Sequence, residues 1–219
     1  MELADIKTQL NSENPQDRLR ALTALREWDI EIAVPLLQSK LYDPAFLVRS
    51  FVMMGLGNKQ NETAYDCLLD AIAHDKDHNV RAEAANSLAK YGEKSLPHLK
   101  QMFERDTHWL VRRSILAILA EISDLEAVYE ICMMGLEDRD ITVQESAMSC
   151  LGLLAGSHRE EEALEKLLTF MDADLWRTRY YLARTLNAFN RPQAEAARDR
   201  LRQDKDPRVV GAVLEKLVQ

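Results

Sequence analysis

The chain has 219 residues, of which 47% are hydrophobic, and a formal charge of -8 from 28 Lys and Arg against 36 Asp and Glu. Its 7 glycines and 6 prolines are too few for the turns of an all-β sandwich or barrel. The acidic balance argues against general nucleic-acid binding, which rests on positive surface, and no run approaches the roughly 18 apolar residues of a membrane span.

Met1-Glu2-Leu3-Ala4-Asp5-Ile6 has no basic stretch leading into an apolar run, so no secretory signal is expected and the expected location is cytoplasmic. Further along, a helical frame recurs. A degenerate copy runs from Arg18 to Leu25. Clearer copies are Val48-Arg49 to Leu56, Val80-Arg81 to Leu88, Val111-Arg112 to Leu119, Val143-Gln144 to Leu151, Thr178-Arg179 to Leu186 and Val209-Val210 to Leu217. Aliphatic residues stand three and four after the Arg position and Leu stands seven after it, which is the stripe of an amphipathic helix. The closing leucines, at 25, 56, 88, 119, 151, 186 and 217, recur every 31 to 35 residues.

Each period holds a second apolar stripe, such as Ile32-Ala33-Leu36-Leu37-Leu41, Tyr65-Leu68-Leu69-Ile72 or Leu164-Leu167-Leu168-Met171. The predicted unit is therefore helix, short turn, helix, with units near 2–26, 30–57, 61–89, 93–120, 124–153, 160–188 and 191–218. One hairpin cannot bury both apolar faces, whereas stacked hairpins close a continuous core. The expected fold is all-α, a right-handed α-α superhelix, or solenoid, of about seven hairpins in one domain. The first and last units are expected to act as caps, and the stretch Gly156–Glu161 to introduce a bend.

Six residues before the repeated Arg position stand Asp43, Asp75, Asp106, Asp138 and Asp204. Such an Asp is expected to end the first helix and open the turn, where its carboxylate can accept backbone N–H groups of the next helix. Arg49, Arg81 and Arg112 are placed to reach Asp43, Asp75 or Asp106, of their own or an adjacent unit, in a charge-assisted ladder. Gln144 and Val210 interrupt it.

An Asp six before an Arg, with Val before that Arg and Leu seven after, resembles the HEAT repeat over nearly the whole chain. The short period, with Asp77-His78-Asn79-Val80-Arg81-Ala82-Glu83-Ala84-Ala85 and Asp106-Thr107-His108-Trp109-Leu110-Val111-Arg112-Arg113, is similar to the compact phycobilisome-lyase-like HEAT proteins of cyanobacteria and plastids. That resemblance implies a phycobiliprotein, its pigment, or an assembly factor such as an iron–sulfur scaffold as the client.

No P-loop, dinucleotide fingerprint or G-x-S-x-G nucleophile elbow occurs. A HEAT-type di-iron hydroxylase resembles this architecture but carries paired His-Glu dipeptides, and this chain has none. HEAT-like DNA glycosylases use a basic groove, which the acidic charge disfavours. His74 and His78 are four apart but flank a turn, and are read as a solvated pair with no metal. Cys67, Cys132 and Cys150 lack any C-x-x-C and are read as separate free thiols.

What remains is surface. The second helices are expected to line the concave side, with the first, second and fifth positions after the Arg facing outward. Phe51, Met54, Arg113, Tyr180, Tyr181 and Arg184 occupy such positions. A further column, three before the Arg, contains Phe46, His78, Trp109 and Trp176, either as lids over the turn or as an aromatic ridge beside Arg113, Arg177 and Arg179. Exposed aromatics grouped with Arg have the composition of protein-binding hot spots. The expected role is a non-catalytic scaffold that binds a protein through Phe51, Trp109, Arg113, Trp176, Arg177, Tyr180, Tyr181 and Arg184. No resident cofactor is expected. The resemblance implies, as an alternative, a bilin lyase or phycobilisome-degradation subunit, with Arg holding propionates and aromatics holding a transiently bound bilin.

Overall fold

The computed structural model of the chain describes residues 1–215. Among them are fourteen α-helices, no strand, and no helix long and apolar enough to cross a membrane. The chain is an all-α solenoid whose helices pair as hairpins, and it divides into two compact units, Met1–Ile115 and Leu116–Gln219.

The first unit holds α1 (Leu3–Leu10), α2 (Pro15–Ala24), α3 (Ile30–Gln38), α4 (Phe46–Asn58), α5 (Glu62–His74), α6 (His78–Ala89) and α7 (Leu96–Arg105), and α8 (Trp109–Ile118) begins in it. Second helices pack in the order α2, α4, α6 and first helices in the order α3, α5, α7. The repeated valines and leucines make this stack. Val48, Leu56, Val80 and Leu88 are wholly buried, with Leu22, Leu37, Leu68 and Leu99 beside them.

The second unit holds α9 (Leu125–Leu136), α10 (Ile141–Leu151), α11 (Glu160–Leu168), α12 (Trp176–Leu186), α13 (Pro192–Leu201) and α14 (Pro207–Leu214). Here α10 packs on α12 and α12 on α14. Val143, Leu151, Leu186 and Val209 are buried, and so is Thr178, which stands where the other copies carry Val. The extra length between α10 and α11 is taken up by a 3-10 turn, Gly152–Leu154, and by Gly156 at φ 76°, a left-handed conformation that costs glycine little. The closing Leu217 and the end of the seventh predicted hairpin lie outside the described residues.

Helix starts follow from side-chain acceptors at the N-cap. Asn61 accepts from the Ala64 N–H at 2.7 Å, Asp77 from Asn79 at 2.8 Å, Asp140 from Thr142 at 2.8 Å and Asp206 from Arg208 at 3.0 Å. The ladder aspartates sit two residues earlier. Asp75 accepts from the Asp77 N–H at 2.9 Å, Asp138 from Asp140 at 2.8 Å and Asp204 from Asp206 at 2.8 Å. They form the turn rather than cap the helix itself.

Candidate functional site

The ladder runs forward between hairpins. Arg49 donates Nε and Nη2 to Asp75 at 2.7 and 2.9 Å, and its Nη1 to the backbone carbonyl of its own turn, Asp43, at 2.8 Å. Arg81 repeats this with Asp106 (2.6 and 3.1 Å) and the Asp75 carbonyl (2.9 Å). Arg18 reaches Asp43 at 3.0 Å. In the second unit Arg179 holds Asp204 at 2.6 and 3.0 Å and the Ala173 carbonyl at 2.6 Å. Arg112 donates to its own Asp106 carbonyl at 2.7 Å. Thus the own-unit contact goes to a carbonyl, and the carboxylate that each of Arg18, Arg49, Arg81 and Arg179 grips belongs to the next hairpin.

These bidentate pairs shape the electrostatics of the turns. Arg179 holds the Asp204 carboxyl below the usual carboxylate range. Burial pushes Asp106 up, but Arg81 and the His108 N–H outweigh it and bring Asp106 below that range. Arg49 is raised by its hydrogen bonds to Asp75.

Among the described residues, the rung that would start at position 144 lacks both of its ends. Gln144 keeps the carbonyl contact, to Asp138 at 2.5 Å, and the residue in the corresponding Asp position of the next hairpin is Ala173. A different pair bridges these hairpins. Arg177 on α12 grips the buried Glu145 of α10 at 2.7 and 2.6 Å, so the cation now sits on the later hairpin.

That pair changes the reading of the aromatic cluster in the second unit. Arg177, expected as a free cation for a partner, is bound to Glu145. Trp176 is half-buried and Arg208 lies over its ring at 3.3 Å, itself paired with Asp206 at 2.8 Å. Tyr180 meets Trp176 edge-on with centroids 6.2 Å apart, and meets Tyr181 edge-on at 5.4 Å. Arg184 stands 5.9 Å from the Tyr180 ring and 3.4 Å from Glu215. Both tyrosines are half-buried, neither core nor fully open. The cluster is a closed set of cation–π contacts and ion pairs that fixes α12 against α10 and α14. Sequence reasoning missed Glu145, Asp206 and Arg208. The signal for Glu145 was a lone acid one residue after Gln144, where the Arg had been lost.

The candidates of the first unit are more open. Met54 is 41% exposed and Leu47, beside it on α4, 43%. Phe51 is half-buried and shares with Met54, Leu22, Leu25 and Leu37 an apolar groove of about 130 Å³. Arg26 is exposed among the lining residues, while Lys59 is committed to the Arg26 carbonyl at 2.8 Å. Arg113 is exposed, and so is Trp109.

At the start of α8 the column before the Arg forms a stack. The His78 and His108 rings lie 3.7 Å apart at an interplanar angle of 10°, with Trp109 5.8 Å beyond His108. His78 is thus a packing residue, while His74 pairs with Asp70 at 2.8 Å on the exposed face of α5. Among the described residues no group of three His, Cys, Asp or Glu is arranged to hold a metal ion.

His108 Nδ1 accepts the Leu110 N–H at 3.2 Å, so its proton sits on the other nitrogen. Burial and the neighbouring His78 hold its pKa below the ordinary value, with Asp106 opposing and Arg81 and Arg112 adding to the effect. The unfolded chain therefore binds this proton more readily than the folded one. Stability is full above about pH 6.5 and falls as pH drops through the lower folded value. His108→Asn, which keeps a capping oxygen and cannot titrate there, is expected to flatten this part of the curve. Thermal melts of both proteins from pH 7.5 down to 5 check it, and parallel curves would count against it.

The HEAT-repeat family pattern matches residues 3–89 and again 34–120, together more than half of the chain. The chain belongs to the HEAT repeats. No curated protein matches it. Among solved structures, the complex of CpcE and CpcF of phycocyanin lyase from Nostoc sp. is similar with a TM-score of 0.55 at 20% identity, over 100% of this chain and 87% of that one. A designed armadillo repeat protein in complex with a (KR)4 peptide gives 0.56 at 20% identity, over 87% of this chain and 100% of that one. Mini spindles TOG3 from Drosophila melanogaster gives 0.56 at 15% identity, over 86% and 95%. At such identities the likeness is one of fold. Within the HEAT frame the Asp–Arg pairs are structural and join successive hairpins.

Proposed function

We propose that this HEAT protein is a non-catalytic scaffold that docks a protein partner on the faces of its second helices. The observation that carries this reading is the apolar strip of α4, where Leu47 and Met54 are more than two-fifths exposed and Phe51 lines a groove beside them. A solvent-facing helix surface is ordinarily polar, and grouped exposed apolar residues mark interaction sites. The likeness to a phycocyanin lyase complex and to a peptide-bound repeat protein supports a binding role. Clients in keeping with the first are a phycobiliprotein or an assembly factor such as an iron–sulfur scaffold.

Leu47→Glu with Met54→Glu tests the reading. Both side chains are well exposed, so the melting temperature is expected to move by the equivalent of about 1 kcal/mol or less. Proteins captured from the native host by the wild type should be lost with the variant. Identical captures from both would remove α4 from the interface.

The second reading is a bilin-handling subunit. The observation that favours it is the gathering of Trp176, Tyr180 and Tyr181 with Arg177, Arg184 and Arg208 in one unit. It is the weaker reading, because Glu145, Glu215 and Asp206 already occupy those cations and a dipropionate pigment would have to displace them. Mixing the purified protein with phycocyanobilin should leave the visible spectrum unchanged under the first reading and shift it under the second.

A further inference from the structure

The groove between α2 and α4 is opened by one residue. Six positions after the repeated Arg the other hairpins carry Ala24, Ser87, Ile118, Cys150 and Thr185, and α4 carries Gly55. A Cβ there would fall 2.6 Å from a Leu37 methyl, so the glycine leaves the Leu37 methyls free to floor the groove. Its volume of about 130 Å³ is close to that of an apolar cavity of roughly 150 Å³ that holds one benzene. One Phe ring or Leu side chain fits such a space, and an indole is too large. Leu47, Phe51 and Met54, at i, i+4 and i+7, lie on one face of α4, so the exposed strip leads into the groove.

The charge at the groove has one sign. Among the described residues its only charged lining side chains are Arg26 and Lys59. Arg26 is exposed and makes no ion pair, and the Lys59 ammonium is held by the Arg26 and Trp28 backbone carbonyls rather than by a carboxylate. Thr23 on α2 also lines the groove, and Arg20 stands one helical turn before it. Arg20 is exposed, and its 3.4 Å contact with Asp17 is of the surface kind that holds a side chain weakly.

We propose that this groove anchors an acidic peptide segment of the partner. The segment inserts one Phe or Leu between α2 and α4 and sets neighbouring Asp or Glu side chains against Arg26 and Arg20. The proposal rests on α4 being the docking face and adds the chemistry of what docks there. A free ring-sized molecule would fill the groove and leave Leu47 exposed, whereas an anchor carried on a chain covers the strip as well. The anchor supplies affinity through desolvated packing, and the acids supply orientation and partner choice.

A random linear peptide library displayed on phage, selected against the full chain, tests this, with the enriched peptides then measured by fluorescence anisotropy. They should carry a Phe or Leu with Asp or Glu close by. Replacing that Phe or Leu by Ala should weaken binding by roughly 30-fold, and Arg26→Glu by roughly tenfold. Gly55→Val, which fills the groove from α4, and Thr23→Trp, which covers it from an exposed position, should each weaken binding as much as loss of the anchor. Unchanged thermal melts of Thr23→Trp and Arg26→Glu keep the test independent of folding. Basic peptides, no enrichment, or peptides indifferent to Thr23→Trp would overturn the proposal. So would self-association of the protein that Thr23→Trp abolishes, since the occupant would then be a second copy. Peptides lost with Leu47→Glu and Met54→Glu but kept by Arg26→Glu and Thr23→Trp would overturn the anchor and leave α4 as the docking face. Peptides indifferent to all four substitutions would remove both.

Discussion

Replacing Arg49 by Ala is expected to destabilise the protein by about 3–5 kcal/mol, the largest single-site effect outside the apolar core. The guanidinium and the Asp75 carboxylate are each about nine-tenths buried or more, at 7% and 10% side-chain exposure. Removing the cation therefore strands a desolvated carboxylate and frees the Asp43 carbonyl as well. The cost comes from the group left behind rather than from any large net value of the pair, because desolvating two charges offsets most of their attraction. Two further variants separate these terms. Arg49→Met with Asp75→Leu removes both charges and should recover most of the loss. Gln144→Ala removes only the carbonyl contact and should cost about 1 kcal/mol. Urea unfolding monitored by circular dichroism measures all three, and a loss below about 1 kcal/mol for Arg49→Ala would show that the ladder is decorative.

The same geometry sets an acid limit. The carboxyls of Asp204 and Asp106 sit below their ordinary range in the folded protein. Their contribution is complete above the unfolded value of about 3.9 and is lost as pH falls through the lower folded values. This loss begins at about pH 3.9, whereas that of His108 begins at about pH 6.5.

The ladder also shows how far the sequence could be read. An Arg six residues after an Asp suggests an own-unit pair as readily as a cross-unit one, and spacing alone does not choose. The vacancies do. Gln144 lacks its Arg and the following hairpin has Ala173 in place of Asp, while Ser12, the corresponding residue of the first hairpin, has no Arg before it. Donor and acceptor disappear together only if each rung joins one hairpin to the next, with partners 25 or 26 residues apart, as found. The helices themselves were legible because a period near 31 residues fixes both stripes.

The aromatic cluster was not legible to the same degree. Helical position places Tyr180 and Tyr181 near the surface but says nothing about what the adjacent hairpin sets against them. Glu145, Arg208 and Glu215 are far from the tyrosines in sequence and meet this cluster only through stacking.

Gly57→Ala is the second large effect, and its sign carries the information. In an exposed helix interior, Gly→Ala stabilises by about 1 kcal/mol because alanine has less backbone freedom to lose. At Gly57 a Cβ would fall 2.5 Å from Ser87 Cβ and 2.9 Å from Ser87 Cα, where α4 lies against α6. The obstacle is backbone and not the tip of a flexible side chain. The helices must separate, and Val52, Leu56, Val80 and Leu88 lose contact around the site. A net loss of about 1–3 kcal/mol is expected despite the propensity gain. Gly57→Ala with Ser87→Gly moves the Cβ to the other helix and should restore most of the stability. Gly211 on α14 is the counter-case, with nothing within 4 Å of an added Cβ, and Gly211→Ala should raise the unfolding midpoint. Gly55 falls between them, since its Cβ would meet only the Leu37 methyls, at 2.6 and 3.2 Å, and that side chain can rotate. If Gly57→Ala were to stabilise the protein as Gly211→Ala does, α4 and α6 would lie further apart than described here.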